Sequence, residues 1–92
     1  MTQRVRSESI YEAEKLFVDA HVWADGQVTI EGQDLSKGEY EYFFTIKREQ
    51  VPLLLEALGA GPKDDVLSEL KAKGAQIISI GEMTWLKQHS IP

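Results

Sequence analysis

At 92 residues the chain is the size of one domain, and a domain this small hides only about 60 to 65% of the surface its unfolded form exposes, which leaves little room for a deep enclosed active site. Apolar residues at 42% and charged residues at 27% are the balance of a globular fold, and the lack of cysteine removes disulfides, thiolate nucleophiles and cysteine-ligated metal centres together. Ten Lys and Arg against fifteen Asp and Glu give a net charge of −5, which repels nucleic-acid backbones and anionic lipids and favours a basic protein partner.

The apolar runs, such as Leu53 to Leu55, are far short of the roughly 20 residues that a membrane span needs. Residues Met1 to Ile10 lack the apolar centre of a secretory signal, so a cytoplasmic location is expected. Residues 1–14 are polar and mixed in charge and read as a flexible arm ahead of a single domain over 15–92.

From Lys15 to Ala24 the chain alternates. Leu16, Val18, Ala20 and Val22 fall on one face of a strand, and Phe17, Asp19, His21 and Trp23 on the other. Asp25-Gly26 is a turn pair suited to positive φ, and Val28 to Leu35 completes a hairpin in which Gly32 reads as a bulge. A second turn at Ser36-Lys37-Gly38-Glu39 leads to the aromatic strand from Tyr40 to Lys47.

The period then changes to that of a helix. Val51, Leu54, Leu55 and Leu58 form one stripe, Pro52 belongs in the first turn, and Gly59 marks the end, so a helix is expected from Glu49 or Gln50. Asp64 and Asp65 predict the start of a second helix with a stripe of Val66, Leu67 and Leu70, ending near Lys71, Lys73 and Gly74. Ile77 to Ile80 fits a strand by its β-branched residues, but Ser79 and Glu82 have capping-box spacing with Ile78 and Met83 as a hydrophobic staple. A third helix is therefore expected from Ser79, with Met83 and Leu86 on one face and Pro92 closing the chain. The fold class expected is α+β, a three-stranded antiparallel meander followed by three short helices packed on one face.

Four stretches, Ile30 to Leu35, Glu39 to Tyr42, Leu53 to Gly59 and Trp85 to Ile91, resemble a family of small, largely uncharacterised bacterial β-β-β-α-α-α proteins. Some proteins of that build are suspected immunity partners of toxins. The resemblance implies an inhibitory or immunity-like binding role. The chain holds no recognisable cofactor motif, and no cofactor is expected.

Asp19 and His21, two apart on a strand, make an acid-oriented imidazole, but no serine sits in a nucleophile motif such as G-x-S-x-G. With Glu31 the same pair is a thin metal-ligand set without recognisable spacing, so no metal is expected. The GAGP segment from Gly59 to Pro62 lacks the strand before it and the G-K-S/T after it of a phosphate loop, and reads as a connector.

The aromatics carry more. If one sheet face packs on the helices, Phe17 and Trp23 face outward beside Asp19 and His21, joined by one row of the last strand, either Tyr40, Tyr42 and Phe44 or Phe43. Large rings among carboxylates are the chemistry of a protein-binding surface, and the candidate site is Phe17, Asp19, His21, Trp23, Glu31 and Phe43. The competing reading has the arm or the last helix covering those rings as core. The function expected is a non-enzymatic protein-interaction module; the alternatives are homo-oligomerisation through the same face and, behind it, a small-molecule-binding or catalytic role.

Overall fold

A computed structural model of the chain describes residues 3–36 and 38–91. It is an α+β fold with four strands, not three, in the order β1 Arg4–Ala13, β2 Leu16–Trp23, β3 Val28–Asp34 and β4 Tyr40–Ile46. The sheet is an antiparallel meander in which each strand lies beside the next in sequence. A 3₁₀ turn at Arg48–Gln50 leads into α1 Val51–Ala57, followed by α2 Val66–Ile80 and α3 Glu82–Gln88.

The extra strand occupies most of the stretch expected to be a flexible arm. Its alternation is hidden by two register shifts, between Arg4 and Arg6 and between Ser9 and Tyr11, so that apolar residues do not recur every second position. Ile10, the residue inserted at the second shift, is buried, and its neighbour Tyr11 is half-buried. Met1 and Thr2 of the expected arm, Lys37 of the second turn and the closing Pro92 lie outside the described residues.

The Asp25-Gly26 hairpin forms as its residues dictate. Gly26 takes φ 90°, the Asp25 carboxylate accepts from the Gln27 amide at 3.1 Å, and the Trp23 amide donates to the Gln27 carbonyl at 2.9 Å. Gly32 makes no bulge. β2 and β3 pair without a shift from Val22 opposite Val28 to Leu16 opposite Asp34, and β3 and β4 continue in step. The glycine instead makes room for a ring, because a Cβ at position 32 would overlap the Tyr42 side chain.

Helix boundaries follow the glycines that adopt positive φ. α1 is followed by Gly59 at φ 74° and α2 by Gly81 at φ 101°, the conformation that ends a helix at little steric cost. Gly74, expected near the end of the second helix, lies inside α2 and is buried. The capping box at Ser79 does not form either: Ser79 is an exposed residue of α2's last turn, and α3 begins at Glu82. Glu82 is buried near the Tyr42 hydroxyl; burial first, and then that carboxylate, push the Tyr42 hydroxyl well above its ordinary pKa.

The helices cover one sheet face. Val18, Ala20, Val28, Ile30 and Ile46 from the strands meet Leu54, Leu58, Leu67, Leu70, Ile77, Trp85 and Leu86 from the helices in a single buried cluster. α2 crosses β1, and the bidentate pair from Arg6 to Asp65, at 2.6 and 2.8 Å, ties that strand to the residue preceding the helix. Further along α2, Lys71 donates to Glu8 at 2.9 Å. No helix among the described residues is long and apolar enough to cross a membrane.

Candidate interaction surface

The pairing register assigns the two faces. Phe17 lies beside Gln33 and Glu41 across the strands, Asp19 beside Glu31 and Phe43, and His21 beside Thr29 and Thr45. All six candidate residues therefore share the face turned away from the helices, since side chains directly opposite one another project to the same side. β1 extends this face sideways with Ser9 beside Asp19, Ser7 beside His21 and Arg4 beside Trp23.

Of the two aromatic rows on β4, Phe43 is the one on this outer face, and it is 72% exposed. Tyr40, Tyr42 and Phe44 line the other face, with neighbouring ring centroids 5.9 and 5.7 Å apart. Phe17 and Trp23 are half-buried. The N-terminal stretch does not lie over these rings as a lid; it joins the sheet edge to edge.

One shallow hollow of about 400 Å³ is bounded by Arg4, Trp23, Thr29, Glu31, Phe43 and Thr45. In its wall the Trp23 indole Nε1 donates to Thr29 Oγ1 at 2.9 Å, which fixes the ring, and the Arg4 guanidinium stands 5.3 Å from the ring centroid. Arg4 also reaches Glu31 Oε2 at 3.5 Å. A ring and a carboxylate thus converge on one cation. A second depression, of about 240 Å³, gathers the carboxylates of Asp19, Glu31 and Glu41 beside Phe17.

His21 is 4% exposed although it belongs to the outer face. Its Nε2 donates to Glu31 Oε2 at 3.1 Å, because a carboxylate only accepts, and its Nδ1 lies 2.7 Å from Ser7 Oγ. With the proton on Nε2, the neutral ring accepts from the Ser7 hydroxyl. Asp19 is not the acid that orients this imidazole; Glu31, from the next strand, takes that place.

Serine, histidine and acid in sequence of contact are the parts of a nucleophilic relay, and Ser7 and Arg4 are the residues that sequence reasoning missed. A relay also needs donors aimed at a developing oxyanion. In an antiparallel ladder the backbone N–H groups lie in the plane of the sheet, whereas a substrate over Ser7 would sit above that plane. The chain of contacts holds the imidazole and Glu31 in place and leaves the carboxylate's charge at the surface. Among the described residues, no group of three His, Asp or Glu side chains converges to hold a metal ion.

No protein-family model, curated protein or solved structure matches the chain.

Proposed function

We propose that the protein is a non-enzymatic interaction module whose outer sheet face binds a partner protein carrying basic residues. The observation that carries this reading is the convergence of Trp23, Phe43 and Glu31 on one hollow, where Arg4 of the same chain already satisfies ring and carboxylate together. A partner's Arg or Lys that displaces Arg4 meets the same chemistry there, with the exposed ring of Phe43 as an apolar anchor. Asp19 and Glu41 supply the charge that steers such a partner and makes its association sensitive to salt. An inhibitory or immunity-like role is one use of such a surface, through occlusion of a basic site on the bound protein.

Affinity capture from the source cells, compared between variants, tests this. The wild-type chain and a Glu56→Lys control, altered on the exposed side of α1, should retain a common basic protein. The Asp19→Lys, Glu41→Lys double variant should lose it. A partner held equally by all three chains would place the binding surface elsewhere.

A further inference from the structure

A sheet ends in two strands whose outward backbone groups are free to pair, and folded proteins guard such edges with bulges, charges or a covering element. The two edges of this sheet are treated differently. β1 carries two register shifts and the charged residues Arg4, Arg6, Glu8 and Glu12. β4 pairs with β3 without a shift from Tyr40 to Ile46, and Glu41 is its single charged residue. Exposed apolar groups cluster around that straight edge: Phe43, Tyr40 at 61% and, across a gap lined by Phe43 and Phe44, Met83 of α3 at 55%.

The sequence of β4 and its flanks is complementary to itself. Two β4 strands that pair antiparallel, with both sets of helices on one side of the joint sheet, must oppose residues of the same face. With the twofold axis at Phe43, that residue faces its own copy, Tyr42 faces Phe44, Tyr40 faces Ile46 and Glu41 faces Thr45. One step beyond these, Glu39 faces Lys47, and the symmetry repeats the opposite-charge pair at the other end. Both residues are exposed, and the backbone at Lys47 is still extended, at φ −65° and ψ 153°. Centring on Tyr42 leaves Glu39 facing Thr45 with no charge to meet. Centring on Phe44 pairs Glu41 with Lys47 but carries Tyr40 past the strand end, opposite Arg48 in the 3₁₀ turn.

We propose that the chain associates with a second copy of itself by antiparallel pairing of β4 with β4 about Phe43, giving one continuous eight-stranded sheet. The pairing adds backbone hydrogen bonds and a Phe43–Phe43 contact at the axis. It also sets the two acidic outer faces side by side, so that the assembly offers a partner two copies of the same surface.

Sedimentation equilibrium on the full chain, with circular dichroism to verify folding, tests the register through a charge swap. The wild type should dimerise reversibly. Lys47→Glu sets like charges opposite one another at both ends and should raise the dissociation constant about tenfold. The Glu39→Lys, Lys47→Glu double variant restores opposite charges and should bring the constant back to within about threefold of wild type. Neither residue belongs to the core, so the folded monomer survives both changes. A wild-type chain that stays monomeric, a dimer indifferent to Lys47→Glu, or a loss that the swap does not repair would each overturn the proposal.

Discussion

The backbone of α2 at Gly74 lies directly against the backbone of β1 at Ile10, so closely that a Cβ on residue 74 would overlap the Ile10 carbonyl oxygen and stand 2.9 Å from its carbon. That contact sets the height of the helix above the sheet. It also shows why a glycine sits in the middle of a helix, where it is unfavourable by about 1 kcal/mol relative to alanine.

Gly74→Ala should therefore destabilise the protein by about 1 to 3 kcal/mol, against the gain that helix propensity alone would give. Urea denaturation at constant slope measures it. A rise in midpoint would mean that helix and strand are further apart than the structure has them.

Ser79→Ala should change stability by no more than about 0.5 kcal/mol, because Ser79 is an exposed residue inside α2. A helix beginning at Ser79 would instead lose about 0.5 to 2 kcal/mol with its capping hydroxyl. The two outcomes separate a continuous α2 from one that stops short and restarts.

Arg6 and Ser68 donate to the Asp65 carboxylate and hold its pKa well below the ordinary aspartate range, with the Arg6 hydrogen bond the largest cause. A carboxylate with a depressed folded pKa contributes stability that is complete above its unfolded value, about pH 4, and fades as the pH falls through the folded one. Arg6→Ala should thus flatten the loss of stability on the acid side of about pH 4 and leave a small deficit at neutral pH, on the scale of one exposed ion pair. Thermal unfolding from neutral to acid pH on both proteins checks the sign; an unaltered acid limb would mean that the pair contributes nothing in solution.

The strands from Leu16 to Ile46 and the first helix were legible because each has one unbroken period. Val18, Ala20, Ile30 and Ile46 fall on the buried side by simple alternation, and Leu54, Leu55 and Leu58 by the helical repeat. β1 was not legible, since its inserted residues Val5 and Ile10 break the alternation and charge fills the positions between. α2 runs past Gly74, a residue that after Lys71 and Lys73 has the composition of a helix end. Leu67, Leu70, Gly74 and Ile77 share one buried stripe, and only Gly81 turns to positive φ. For the candidate surface, parity placed Phe17, Asp19, His21 and Trp23 on one face of their strand, while the row of β4 that joins them and the place of Glu31 beside Asp19 needed the register between strands. What escaped was whatever β1 brings to that face, Arg4 over Trp23 and Ser7 on His21, because a stretch read as an arm has no register from which to name neighbours.

On the proposed reading Trp23 serves a binding surface and not the core, and a paired measurement separates the two roles. Calorimetric titration of the captured partner and urea unfolding of the free protein are compared for wild type and Trp23→Ala. Trp23→Ala should weaken binding by about 2 kcal/mol or more, near thirtyfold, while the folded chain loses less than the roughly 3 to 5 kcal/mol of a core tryptophan deletion. Unchanged affinity together with a core-sized loss of stability would contradict it.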